Sequence, residues 1–550
     1  MSLRRKAMSR RDFVKAAGAG LFVIGLSACS QPQPTPTQAP AAAPTTAPAP
    51  TTAPAATTAP APTAEAVATT AAEPTAAPTE VPAAVPTATP VPAAESKATE
   101  IRVLTVGDPF QYALDKIKDD FKAETGIAVN LESLAYDALN ARLMTSMVSG
   151  TPDADVISYD QIWIGQYTDN GWMVQLDDYI KADSDVKFDD FLPEVIYPFN
   201  EWRGHIVGLP IAAYAQGVMY NADVWQELGL EELPIDMNND AGWTWAKYLE
   251  LVQQINGKNI GGTQFFGTVL CGAQPAPIVH MYSQQAASFG TRWFKQFPEA
   301  PWNFEPTINS PENLAALKQY IEQYKNAPPE AINYIWFDAG TRFGKGDIGL
   351  FYWWTPYFYL AKSDGYMTGK PSKAADKIKY AVLPRIADGA PQPVAMGGWS
   401  YGIPKSSAKQ DEAWQFIKWG TSAAVQKKMG LVPDYLYQFA DFTRKSLYED
   451  ADLKKIYPWL DLQLQLIQNS NGKLVRPPAP IYTSLEGVYG LKLNQALSGA
   501  MSPEDALSET DTLWKNLLQG NLLYPEYKGE SYNDTLDATK ELIKKLAAGG

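Results

Sequence analysis

From about Thr99 the chain alternates short β-rich runs with helical periods. Ile101–Val106 is the first run. Leu114, Ile117, Lys118 and Phe121 fall at helical spacing and predict an amphipathic helix over Leu114–Thr125, with Gly126 as its C-cap. Ile127–Leu131 predicts a second strand. A helix around Ala138–Val148, a turn at Gly150-Thr151-Pro152-Asp153 and a strand over Asp155–Ser158 follow. This β-α-β-α-β order predicts a mostly parallel sheet flanked by helices. Ligands of open α/β sheets sit outside the carboxyl ends of the strands. Those ends carry Asp108, Phe110 and Gln111, then Leu134-Ala135-Tyr136, then Asp160, Gln161 and Trp163. Asp108 and Asp160 either accept ligand hydroxyls or cap turns; Trp163 offers a stacking face.

Further along, Asn221–Leu228 reads as a helix and Trp243-Thr244-Trp245 starts another. Gly267–Leu270 reads as a strand ending at Cys271, and Ser310-Pro311-Glu312 caps a helix over Asn313–Tyr324. Gln410–Trp419 is helical, with Trp414 and Trp419 as core, and beyond Gly430 the pattern is largely helical. No simple amphipathic period accounts for Asp338–Leu360. There a short polar, glycine-containing segment runs into Trp353, Trp354, Tyr357, Phe358 and Tyr359. Such a block is either core or a set of platforms for a ring. In Met396-Gly397-Gly398-Trp399, the glycines let the backbone approach a ligand closely.

Before Thr99 the pattern changes twice. Ser9-Arg10-Arg11-Asp12-Phe13-Val14-Lys15 matches the twin-arginine export pattern. The apolar run Ala16–Leu26 is shorter than the roughly 20 residues a membrane-spanning helix needs. It ends Leu26-Ser27-Ala28-Cys29, which resembles a lipobox, so residues 1–29 read as a lipoprotein signal with Cys29 as the lipidated residue. Residues 30–98 are rich in Pro, Ala and Thr and lack aromatics. Such a stretch cannot bury enough apolar area to offset its ordering entropy and reads as a disordered spacer.

The 550 residues include 16 Trp, 28 Tyr and 20 Phe, enough for two or three domains with real cores. A net charge of −14 argues against a protein that tracks nucleic-acid phosphates. Loss of residues 1–28 would remove six positive charges and one negative, moving the net charge to −19. Two histidines make a multi-His metal site unexpected. A Cys271/His280 pair lacks the third group and oxyanion site that catalysis needs. No Walker A, GxGxxG or HExxH motif is present in the sequence.

Several phrases together resemble one family. They are IKDDFKAETGIAVNLES, LNARLMTSMVSGTPDADVIS and YTDNGWMVQLDDYI, then GLPI with VMYN, RFGKGDIGLFYWW, and GGW followed by IPKSSAKQDEAWQFIKWGTS. Their order resembles extracellular solute-binding protein family 1, the maltose-binding-protein-like lipoproteins of carbohydrate ABC importers. The resemblance implies an α/β fold of two lobes, each a mixed, mostly parallel sheet flanked by helices, joined by three hinge crossings. It places the first lobe at 99–211 and 386–428 and the second at 212–385 and 429–550. It implies a monomeric, non-enzymatic protein without cofactor. Its partners would be a carbohydrate, the permease subunits and, through Cys29, a membrane; no nucleic acid is implied. The ligand would meet Trp353, Trp354, Tyr357 and Trp399 as platforms, with Asp108, Gln111, Asp160, Tyr214 and Gln274 as polar contacts beside Phe110 and Trp163. Glu486 stands near a place where sugar-binding relatives often carry an aromatic. The same fold could instead hold a polyamine, a ferric ion or a peptide. A secreted glycosidase would also use aromatics and paired carboxylates.

Overall fold

In the computed structural model, residues 100–364, 370–431, 439–525 and 534–549 are described. The chain divides into two units, 1–91 and 92–550; all described residues belong to the second. The twin-arginine motif, Cys29 and the spacer lie outside them.

One seven-stranded sheet organises this unit. Its strands are β1 (Glu100–Val106), β2 (Ala128–Leu134), β3 (Val156–Asp160), β4 (Leu209–Asn221), β5 (Leu350–Trp354), β6 (Ile378–Ala381) and β7 (Met396–Gly402). The order is β5-β4-β7-β3-β1-β2, with β6 also paired to β4. β1 pairs in parallel with β2 and β3, while β7 runs antiparallel to β3 and β4. β4 serves both lobes. Its residues Leu209–Ala215 pair with β7, and Gln216–Asn221 pair antiparallel with β5 and β6. This is one of the three crossings the resemblance implies, and it is an unbroken strand, buried throughout.

Helices of the first lobe follow the strand ends. The helix expected over Leu114–Thr125 is interrupted: α1 (Pro109–Asp115) ends just inside it and α2 (Lys118–Thr125) supplies the rest. The break comes at Lys116 and Ile117, whose N–H groups donate to carbonyls three residues back. Gly126 ends α2 at φ 79°, the left-handed cap read from the sequence. α3 (Tyr136–Ser149) follows β2 directly.

In the second lobe α4 (Ala276–Ser288) is buried along its whole length. The expected strand at Gly267–Leu270 is absent, because Gly267 and Thr268 donate instead to the Asn326 carbonyl of a helix–turn end. The segment read as polar and turn-like before Trp353 is the end of a helix, α5 (Trp336–Gly344). Its glycine serves packing: a Cβ on Gly340 would lie 1.9 Å from the Tyr357 ring. Arg342 is buried there against Asp347.

The C-terminal division differs from the sequence-based one. Residues after 429 do not all join the second lobe. Leu192 N–H donates to the Thr443 carbonyl, and Arg444 donates to the carbonyls of Val186 and Lys187. The chain then forms α6 (Gly472–Val475) and α7 (Tyr482–Leu497) against second-lobe elements. Its last helix, α8 (Leu536–Ala547), returns to pack on first-lobe helices Asp177–Ala182 and Pro193–Phe199. The apolar stripe of α8 is too short-range a signal to name its partner. Among the described residues no helix is long and apolar enough to cross a membrane.

Candidate functional site

The first-lobe wall of the site is built from the carboxyl ends of β1, β2 and β3 with β7 across them. Asp108 precedes Pro109 at the start of α1, and its carboxylate accepts 2.9 Å from Trp399 Nε1. Burial pushes the Asp108 carboxyl up to about 7, although Trp399 and Tyr214 hydrogen-bond to it; nearby Asp160 adds to the rise. Trp399 is held in register opposite Asp160. Beneath it, Gly398 takes φ 132° with the Ala212 carbonyl 2.2 Å from where a Cβ would stand, so only glycine fits. Asp160 does cap a turn, accepting from Ile162 N–H at 3.4 Å. It also accepts from Tyr136 Oη at 3.1 Å. Trp163 is buried between Tyr136 and Trp399, with ring centroids 5.1 and 5.6 Å away. Phe110 lies under Trp399 and edge-on to Tyr401, as a floor. Gln111 and Tyr214 are buried beside them.

The second-lobe wall brings together α4, α5, β5 and the segment from α6 to α7. Strand alternation sends Trp353 and Trp354 to opposite faces. Trp354 lies under the Arg476 guanidinium at 5.5 Å, and a Cβ on Gly397 would be 3.1 Å from its ring. Trp353 is within reach of Phe351 and Tyr357, its ring centroid 5.6 Å from that of Trp354. Tyr357 is buried between Trp353 and Gly340. Gln274 is exposed just ahead of α4 and is not brought to the cluster by any hydrogen bond. His280, one turn into α4, is what that helix supplies. Trp336 Nε1 donates to its Nδ1 at 3.0 Å, and Glu486 Oε1 lies 2.8 Å from its Nε2. Cys271 is free and buried, its Sγ against the Ile335 carbonyl, and forms no pair with His280.

The two walls meet through Arg476. Its guanidinium donates to Asp160 at 3.3 Å and to the Met396 carbonyl at 3.2 Å, both on the first lobe. It also stands 2.9 Å from His280 Nε2. Tyr136 faces Trp336 across the same boundary at 5.1 Å. Burial holds the His280 imidazole well below its ordinary value, and Arg476 adds to this, so the ring is neutral. Burial pushes Glu486 up to about 7, opposed by Arg476 and by Tyr482, whose hydroxyl donates to it at 3.0 Å. Among the described residues, Gln111 Oε1, both polar atoms of Gln161, Trp163 Nε1 and Arg476 Nε are buried without partners here. Tyr136, His280, Trp336, Arg476 and Glu486 are not among the contacts expected from sequence. Glu486 and the strand-end Tyr136 were the available signals. Among the described residues no group of His, Cys, Asp or Glu could hold a metal ion.

A single strand shared by two lobes, with aromatic and charged side chains from both meeting between them, defines a two-lobed binding protein. The bacterial extracellular solute-binding protein family matches residues 105–427, and the chain belongs to it. It is similar to an ABC transporter solute-binding protein of Agrobacterium radiobacter K84 solved with ribitol. That likeness has 26% identity and TM-score 0.67, over 76% of this chain and 99% of the other. One from Agrobacterium vitis S4 with bound D-mannitol has 25% identity and TM-score 0.66, over 78% and 100%. A probable amino-acid ABC transporter periplasmic-binding protein of Sinorhizobium fredii is 22% identical over 74% of this chain and 87% of its own length. The chain is thus an extracytoplasmic solute-binding component of an ABC importer, with a ligand and a permease as partners; the family's members are binding proteins rather than enzymes.

Proposed function

We propose that the protein holds a sugar or polyol between its lobes and delivers it to the permease. In this reading residues 1–29 direct export, Cys29 carries the lipid and residues 30–98 space the domain from the membrane. The observation that carries the ligand class is the pair of partnerless buried donors Trp163 Nε1 and Arg476 Nε among Tyr136, Trp163, Trp336, Trp354 and Trp399, with the partnerless carboxamide of Gln161 next in the chain to Asp160. Leaving such atoms unpaired costs about 1–3 kcal/mol each. A polyhydroxy ligand supplies both donors and acceptors at its rim and C–H faces for the rings. The ribitol and D-mannitol bound by relatives support the same class. Asp108, Asp160, Trp163, Trp354 and Trp399 are the contacts we assign from the sequence reading. Tyr136, His280, Trp336, Arg476 and Glu486 join them.

A thermal-shift panel tests this. Ribitol, D-mannitol, glucose or maltose is expected to raise the unfolding midpoint, since a ligand of the native state alone stabilises it by mass action. A specific observation favours a second reading: among the described residues neither Asp108 nor Glu486 forms an ion pair with a Lys or Arg side chain, Arg476 pairing instead with Asp160. Stabilisation by spermidine but by no sugar would select a cationic ligand. Incubation with oligosaccharides is expected to release no reducing ends. Cys29→Ala is expected to shift the protein from the membrane to the soluble fraction; unchanged membrane association would overturn the anchor.

A further inference from the structure

His280 is faced by more donors than an imidazole can accept. Trp336 Nε1 and Arg476 Nη2 are both obligate donors, at 3.0 Å from Nδ1 and 2.9 Å from Nε2. A neutral ring has one lone-pair nitrogen. If that nitrogen is Nδ1, it accepts from Trp336, and the protonated Nε2 stands 2.8 Å from Glu486 Oε1. The Arg476 N–H then points at another N–H. The opposite tautomer strands Trp336, and a charged ring strands both donors. The ligand-free arrangement therefore holds one mismatched contact whichever proton is moved.

We infer that Arg476, His280 and Glu486 form a hydroxyl subsite, in which one ligand hydroxyl displaces the direct Arg476–His280 contact, accepts from the guanidinium and donates to the Glu486 carboxylate. His280 keeps its lone pair for Trp336 and its Nε2–H for Glu486. A hydroxyl is the group that fits, because it accepts and donates at one atom; an ether only accepts and an ammonium only donates. The partnerless Arg476 Nε and Gln161 carboxamide lie in the same cluster, next to Asp160, and point to a neighbouring hydroxyl as the second contact. The subsite's further neighbours are Tyr482, Tyr136, Asp160 and Asp137, all of which feel or exert the Glu486 charge or that of Arg476. Stacking holds the ligand at the Trp399 end, and donor–acceptor matching selects it at this end.

This subsite rests on the carbohydrate reading, and its test separates the two. The strongest stabiliser among ribitol, D-mannitol, glucose and maltose is titrated calorimetrically, followed by its mono-deoxy and mono-O-methyl analogues. The proteins are the full chain, Glu486→Gln and Arg476→Lys. In the unsubstituted protein, deoxygenation at one position is expected to weaken binding roughly 10- to 100-fold, and O-methylation there at least as much. In Glu486→Gln the penalty at that same position is expected to shrink at least threefold, while penalties at other positions stay as they were. Equal penalties in all three proteins at every position would overturn the subsite and leave carbohydrate binding standing. Stabilisation by no member of the panel would overturn both. Unfolding midpoints without ligand accompany each variant. If Glu486→Gln fails to fold, Arg476→Lys carries the same comparison.

Discussion

Lys473 and Arg476 are two buried cations three residues apart, and they are treated in opposite ways. Lys473 Nζ has Glu201 Oε2 at 2.8 Å, the Glu201 carbonyl at 3.2 Å and Asp534 Oδ1 at 2.7 Å, with the Tyr197 ring 4.4 Å away. Each of its three N–H groups has an acceptor, and two carboxylates balance its charge. Arg476 has one carboxylate, one carbonyl, a ring nitrogen already committed elsewhere, and a partnerless Nε. A completed ion cluster fixes architecture: Lys473 ties α6 to the first lobe and to the start of α8. An incomplete one holds donors in reserve for something not part of the chain. The difference separates structural from functional burial of charge where position in the sequence cannot.

The comparison can be broken first at Lys473. Lys473→Met leaves Glu201 and Asp534 buried without their cation and is expected to cost about 3–5 kcal/mol in chemical denaturation. Arg476→Met is expected to cost less than half as much, because it also removes a mismatched contact; equal costs would erase the distinction. Titration sharpens it next. Asp108 moves from its ordinary 3.8 to about 7 and Glu486 from 4.5 to about 7, both through burial. The folded protein therefore binds more protons than the unfolded chain between about pH 4 and 7. Ligand-free stability is expected to fall as pH rises across that window, by up to ~1.4 kcal/mol per pH unit for each group. Unfolding midpoints of Asp108→Asn and Glu486→Gln should show a flatter dependence, and a slope unchanged by both would contradict the burial of these carboxyls. Trp399→Phe keeps a ring but loses the N–H to Asp108, and calorimetry is expected to find about tenfold weaker sugar binding. Smallest of all, Gln274→Ala is expected to leave affinity within about twofold, since Gln274 is exposed; a tenfold loss would return it to the site.

Much of the scaffold was legible because its signals are local. Gly126 announces a left-handed cap, Ser310 accepts from the Asn313 N–H through its hydroxyl oxygen as an N-cap, and Gly397-Gly398-Trp399 marks a close backbone approach, which is to the Ala212 carbonyl and the Trp354 ring where the sequence reading expects a ligand. That Asp108, Asp160 and Trp163 gather at one edge was legible for the same reason, since strand ends in a β-α-β order point one way. The second-lobe half depends on information a sequence does not carry locally. Alternation says that Trp353 and Trp354 face opposite ways, but the face is set by pairing with Gly217 and Gln216 of β4. Arg476, His280 and Glu486 come from separate segments whose meeting is decided by packing. The return of α8 to the first lobe is invisible for the same reason: an apolar stripe declares that it needs a cover and not which one.

Because β4 runs unbroken through both lobes, the joint between them is a leaf spring and not a pin. Pairing changes hands between Ala215, opposite Met396, and Gln216, opposite Trp354. Thr355 clamps that point, its N–H donating to the Ala215 carbonyl at 2.8 Å and its hydroxyl accepting from Ala215 N–H at 3.3 Å. Any parting of the lobes must twist a peptide that is hydrogen-bonded on its flanks, so the excursion is directional and carries a restoring torque. The ligand then need not drag two loosely tethered bodies together. It has only to tip the balance of an elastic element whose rest position and axis the backbone has already set.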